Sequence, residues 1–279
     1  METLKHNKTR LGIGSYSYSY AVGVKDFMPK CPMSAEMLID RAVDLRVKVV
    51  QIADNLPLHI LSDGQIDRIG SYAEKNGISL EVGTRGIRLD LLRQYIRIAE
   101  RLQSPLLRCV IDSPGHEPGL EEIHEIFLEV LPDLKEHHVV LGIENHDRFS
   151  AAQFEKIIAD MEDAYFGIVL DTVNSFACEE NTQTVLSHLG KYTVNFHAKD
   201  FKIGRVPNAM GLSVTGTPAG EGFLNVPAVL SVLQTEAQSD FSTILELWMS
   251  PEPTIEQTIE KEDQWVRKSV QYLRTLIRD

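Results

Sequence analysis

Four apolar runs in the second half of the chain each close on a group that can hold a cation. Leu141-Gly142-Ile143 closes on Glu144, Ile168-Val169-Leu170 on Asp171, Val194-Asn195-Phe196 on His197, and Ile244-Leu245 on Glu246. Any single carboxylate in such a position can cap the next helix. Three of them beside one imidazole would repel unless a cation lay between them. The set suits one divalent ion, Mn2+ first, with Mg2+ or Co2+ accepted by similar donors. The absence of thiolates argues against a structural zinc site. An ion holding a substrate carbonyl and its neighbouring hydroxyl would stabilise an enediolate and make the adjacent C–H acidic.

Further polar groups are candidates for the substrate. Asn145-His146-Asp147-Arg148 follows Glu144 directly, so His146 and Arg148 are expected beside the ion. The guanidinium fork of Arg148 suits a carboxylate. Arg108, Arg85 and Lys199 could reach the same face, and Gln51 and Asp54 close an earlier apolar run where substrate hydroxyls would be held. Taken singly, each cation could equally be a salt-bridged surface group.

Four such ligands meet only if the strands carrying them run parallel and end side by side. The chain alternates short apolar runs with amphipathic ones. Strands are expected over 11–20, 47–54, 78–82, 105–111, 139–145, 165–171, 192–197 and 241–247. Helices are expected over 34–45, 63–75, 89–102, 120–135, 151–161, 182–189, 226–234 and 255–277. Eight strand–helix pairs make an α/β fold, a single-domain (β/α)8 TIM barrel covering 1–279, with its active face at the strand ends. Continuous apolar strands such as Phe166-Gly167-Ile168-Val169-Leu170 are those of a parallel sheet covered on both sides. A doubly wound sheet is disfavoured because no G-x-G-x-x-G follows the first strand. Segment 201–224 reads as a structured loop over the active face.

A formal charge of −12 argues against a general affinity for nucleic acid or anionic membrane. Cys31, Cys109 and Cys178 form no CxxC pair and no disulfide framework, which predicts a reducing, cytoplasmic setting. Residues 1–10 lack the apolar stretch of a secretory signal, and no run is long enough to span a bilayer.

These motifs, with Phe196-His197-Ala198-Lys199-Asp200 and Gly220-Glu221-Gly222, resemble the xylose-isomerase-like barrel superfamily of sugar isomerases and epimerases over essentially the whole chain. The resemblance implies that Glu144, Asp171, His197 and Glu246 bind one metal ion and that Glu144 and Glu246 also form the acid–base pair. It implies an orienting role for Glu221 toward the ligand histidine. Many relatives carry His three residues after the strand-six aspartate and use it against the substrate; here Asn174 stands there, able to hydrogen-bond a substrate but not to shuttle a proton near neutral pH. The leading expectation is an isomerase or epimerase of a small sugar or sugar acid acting through an enediolate. The second is a lyase, either a decarboxylase of an oxo sugar acid such as 3-oxo-isoapionate or a dehydratase of a cyclitol ketone. The stretch from Glu144 to Phe149 resembles the branch that decarboxylates oxo-acids of apiose breakdown. A nuclease like endonuclease IV would need more histidine ligands and a basic face, and a sugar-binding sensor would not need four intact ligands. The expected partner is a small carbohydrate, and the protein itself could be a homo-oligomer, as barrel relatives often are.

Overall fold

The computed structural model describes residues 7–206 and 210–278. The first six residues, part of the stretch read as lacking a secretory signal, lie outside them, as do three residues of segment 201–224. The barrel strands are β1 (Thr9–Gly14), β2 (Val49–Ile52), β3 (Ser79–Arg85), β4 (Leu106–Val110), β5 (Val140–Glu144), β6 (Phe166–Asp171), β7 (Thr193–Ala198) and β10 (Phe241–Leu245). All are parallel and close in the order β1-β10-β7-β6-β5-β4-β3-β2. They form the eight-stranded barrel that the alternating pattern implies. Around it lie α2 (Ala35–Leu45), α3 (Asp63–Lys75), α4 (Leu89–Arg101), α5 (Leu120–His137), α6 (Ala151–Ala159), α7 (Thr182–Leu189), α8 (Val226–Glu236) and α9 (Ile255–Leu276), preceded by a single turn, α1 (Ser19–Val22). None is long and apolar enough to cross a membrane.

Local chemistry sets these boundaries. Ser34 accepts from the Met37 amide to start α2, and Ser62 with Gln65 forms a capping box on α3. Helix α3 stops at Asn76, with Gly77 in the left-handed region at φ +67°.

One expectation needs correction and another is made more specific. The first strand ends at Gly14 and does not run to residue 20. The hydroxyls of Ser15 and Ser17 are used elsewhere: Ser15 Oγ donates to Asn55 at 2.5 Å and Ser17 Oγ to the Leu245 carbonyl at 2.5 Å. They draw residues 15–22 into helical turns across the barrel mouth. The structured loop expected over 201–224 takes a specific form, an antiparallel hairpin of β8 (Phe201–Arg205) with β9 (Leu212–Gly216). Asp200 roots it: its buried carboxylate accepts from the amides of Phe201, Gly220, Gly222 and Leu224 at 2.8–3.0 Å. Gly222 is required by that approach, because a Cβ there would lie 2.1 Å from Asp200 Oδ1.

Candidate metal centre and substrate pocket

Strand register brings the four expected ligands together. Asp171 and His197 are direct partners across β6 and β7, Glu144 ends β5, and Glu246 lies one residue beyond β10. All four are essentially fully buried. Ligand atoms of Glu144, Asp171 and His197 lie within 4.8 Å of one another. Glu246 stands just outside that triad and joins it through His197, whose Nδ1 is 3.3 Å from Glu246 Oε1 and 3.4 Å from Glu144 Oε2.

The remaining hydrogen bonds decide what this cluster can hold. Gln51 donates through Nε2 to Glu81 Oε2 at 3.0 Å, so its carbonyl oxygen faces His197 Nε2 at 2.9 Å. The ring proton therefore sits on Nε2, and Nδ1 presents a lone pair to the carboxylates. Neither His197 Nδ1 nor Glu246 Oε1 has a hydrogen-bond partner, although both are buried. Buried acceptors facing one another without a proton between them are costly unless a cation lies among them. One nitrogen and three carboxylates fit a divalent ion.

The two glutamates are inequivalent. Glu144 Oε2 accepts from Arg108 Nε at 2.5 Å and Oε1 from Asn174 Nδ2 at 2.9 Å. Burial alone would raise its pKa, but the charge and hydrogen bond of Arg108 and the charge of Lys199 outweigh burial and hold it below the usual carboxylate range. Glu246 moves upward, because burial prevails over the nearby cations. Asp171 is held by the amides of Val173 and Asn174 at 2.7 and 3.0 Å and by Lys199 Nζ at 3.1 Å. Asn145 ties the Asp171 backbone from both sides, accepting from its amide at 2.8 Å and donating to its carbonyl at 2.7 Å.

Beside Glu246 and Lys199 opens a cavity of about 440 Å³, with Tyr16, Tyr20, Thr215 and Trp248 among its walls. That is within the usual size of a small-ligand site. Lys199 is the cation it presents: Nζ reaches Asp171 and Asn174 Oδ1 at 3.1 Å each, and Glu246 Oε2 lies 3.8 Å away.

The other expected substrate residues divide. Asn174 and Lys199 are in the centre. Arg108 is also there, but its guanidinium is buried between Glu144 and Asp54, reaching Asp54 Oδ1 at 2.6 Å, so it holds site carboxylates where a substrate carboxylate was expected. Gln51 lies beneath His197 inside the barrel, not on the substrate side. Arg148 points away: its fork is taken by Asp112 at 2.9 and 2.5 Å and by the Pro118 carbonyl, with the guanidinium 4.0 Å above the Phe149 ring. His146 pairs with neighbouring Asp147 at 3.2 Å. Glu221 pairs with Lys268, and the orienting role toward His197 falls to Gln51. Asp54 is not a free hydroxyl acceptor, because Arg85 and Tyr16 hold its second oxygen at 3.2 and 3.0 Å.

Glu262 in the pocket wall went unread in the sequence. Burial lifts it to about 7, and it accepts from the Tyr20 and Ala21 amides at 2.9 and 3.0 Å. Its signal was a carboxylate in phase with Thr258, Val266, Ser269 and Leu273 on the buried stripe of α9.

The chain is 26% identical to the 3-oxo-isoapionate decarboxylase of Pectobacterium atrosepticum over 265 residues, which is 95% of this chain and 96% of that one. Among solved structures, a D-psicose 3-epimerase with D-tagatose from Clostridium cellulolyticum H10 superposes with a TM-score of 0.73 at 16% identity, covering 97% of this chain and all of that one. A xylose isomerase-like barrel from Mycobacterium smegmatis in complex with magnesium superposes with a TM-score of 0.66 at 13% identity, covering 94% and 98%. At these identities the superpositions show a shared fold. The family model for the xylose isomerase-like TIM barrel matches residues 39–276, and the chain belongs to that family.

Proposed function

We propose that the protein is a divalent-ion-dependent lyase that decarboxylates a small 3-oxo sugar acid through an enediolate. The observation that carries this reading is the inequivalence of the two glutamates. Moving a proton between the two faces of one carbon requires two bases that can each gain and lose it. Glu144 has both oxygens tied, to Arg108 and Asn174, whereas Glu246 Oε1 has no partner. Decarboxylation needs only one proton donor and a cationic perch for the carboxylate. Asn174 in place of a histidine takes away a further proton shuttle, and the full-length likeness to a decarboxylase points the same way.

Glu144, Asp171, His197 and Glu246 would hold the ion. When bound, it would supply Lewis-acid stabilisation of the oxyanion formed at the oxo group. Lys199, which lines the cavity, would hold the substrate carboxylate. The bond between the carboxyl carbon and its neighbour breaks, CO2 leaves, and the electron pair forms the enediolate with the oxo carbon. The neighbouring carbon then takes up one proton from the Glu246 carboxyl, which borders the cavity, and the carbonyl re-forms. Tyr16 and Trp248 form part of the pocket walls.

The isomerase or epimerase reading keeps one specific support. Glu144 and Glu246 both stand within 3.4 Å of His197 Nδ1, so two carboxylates adjoin one reacting centre. Turnover in D2O separates the two reactions. Mn2+-loaded protein should release one CO2 per 3-oxo sugar acid and leave one deuteron on the carbon that carried the carboxylate. Deuterium exchange into a ketose, with no CO2 from any 3-oxo sugar acid, would replace the lyase with an epimerase.

A further inference from the structure

The barrel interior beneath the metal centre is polar where a packed apolar layer is usual. Gln51 on β2 and Glu81 on β3 are register partners, Asn195 and His197 are two residues apart on β7 and so face the same side, and Ser242 joins them from β10. All are essentially fully buried. Glu81 Oε2 accepts from Gln51 Nε2 at 3.0 Å and from Asn195 Nδ2 at 2.9 Å. Two amide donors on one carboxylate oxygen leave neither amide free to turn over. Gln51 must then present its oxygen, 2.9 Å away, to His197 Nε2.

We infer that Glu81 is a positioning residue for the metal centre, acting through Gln51 to keep His197 in the tautomer whose Nδ1 is a bare donor. The inference rests on the metal reading of the four-ligand cluster. The polarity runs one way along the chain of bonds: His197 Nε2–H to Gln51 Oε1, then Gln51 Nε2–H to Glu81. An amide at position 81 could donate as well as accept, so Gln51 could turn, offer N–H to His197 Nε2, and send the ring proton to Nδ1. That tautomer has no lone pair where the carboxylates converge. Groups that orient a ligand histidine in this way contribute about 10- to 100-fold in metal affinity. Glu81 is not among the walls of the cavity beside Lys199, and it hydrogen-bonds Gln51 and Asn195, so its effect on the ion passes through the imidazole.

The test is Mn2+ binding by calorimetry for wild type, Glu81→Gln, and the exchanged pair Glu81→Gln with Gln51→Glu. The exchanged pair restores the one-way polarity, with the carboxylate now accepting from both His197 and position 81. Glu81→Gln should bind Mn2+ at least about tenfold more weakly, and the exchanged pair should recover to within about threefold of wild type. A side chain that merely filled space would give equal losses in the single and double variants, and that result would overturn the inference. So would an unchanged affinity in Glu81→Gln. Should Glu81→Gln fail to fold, long-range 1H–15N correlation on wild type saturated with diamagnetic Mg2+ decides, since it shows which ring nitrogen carries the proton. The inference requires a protonated Nε2 and a pyridine-like Nδ1, and the opposite tautomer or an averaged mixture rejects it. A wild type that binds no Mn2+ would bring down the metal reading itself, a result distinct from intact binding that ignores Glu81.

Discussion

Replacing Arg108 with methionine separates the protein's own cation in the centre from the divalent ion proposed there. The guanidinium is 2% exposed and bridges Glu144 at 2.5 Å and Asp54 at 2.6 Å. After its loss Asp54 keeps Arg85 at 3.2 Å and Tyr16 at 3.0 Å, so the burden falls on Glu144, which keeps only the Asn174 amide. Removing one partner of a buried ion pair costs about 3–5 kcal/mol, because the remaining charge stays buried without compensation. For a chain of this size, that lowers the melting temperature by roughly 10 °C. The assay is thermal unfolding of ion-free wild type and Arg108→Met, repeated with saturating Mn2+. A divalent cation among Glu144, Asp171, His197 and Glu246 would take over part of the lost compensation, so Mn2+ should raise the variant's melting temperature more than the wild type's. The reasoning is refuted if the ion-free variant loses less than about 1 kcal/mol, or if Mn2+ stabilises both proteins equally.

Three further outcomes follow from the same contacts. Glu262 is raised from 4.5 to about 7, a gap worth about 3 kcal/mol. The folded form therefore binds the extra proton: that stability is fully present below about pH 4.5 and lost as pH rises through 7, so wild type should lose melting temperature over this window relative to Glu262→Gln, with parallel curves as the contrary result. Asp200→Asn replaces a four-amide acceptor with a group that must turn N–H donors toward two of them, so it should cost about 3 kcal/mol and speed proteolysis within 201–216 in timed digestion. Arg148→Ala breaks a half-exposed pair with Asp112, so it should cost no more than about 1 kcal/mol and leave Mn2+ affinity, read by calorimetry, unchanged.

The parts of the fold legible in the sequence were those with a strong period or a strong punctuation mark. Apolar strand runs ending in a lone polar group located Glu144, Asp171, His197 and Glu246, because a parallel barrel converts position along a strand into position in space. Helix starts at Ser34 and Ser62 and the stop at Asn76-Gly77 could be read because capping is local chemistry. What escaped was decided by partners distant in sequence. Arg108 and Arg148 are both guanidiniums beside strand ends, yet one is drawn between Glu144 and Asp54 while the other is captured by Asp112; neither fate has a mark in its own neighbourhood. Gln51 reads as a substrate group by position on its strand, but Glu81 and Asn195 turn its amide toward His197. The Ser15-Tyr16-Ser17-Tyr18 alternation imitates a strand, and only its hydrogen bonds to Asn55 and Leu245 reveal a helical turn. The hairpin in 201–224 pairs residues 201–205 with 212–216, a register that composition alone does not announce.

The claim on which the rest depends is that these four strand-end groups hold one divalent ion. Elemental analysis of the purified protein beside Glu246→Gln, each after incubation with Mn2+ and removal of the excess, tests it most directly. About one divalent ion per chain in the wild type, lost on chelation and reduced in the variant, is the predicted result. A wild type that retains no ion after incubation would contradict the account and leave the buried Nδ1 of His197 and Oε1 of Glu246 without the partner their geometry requires.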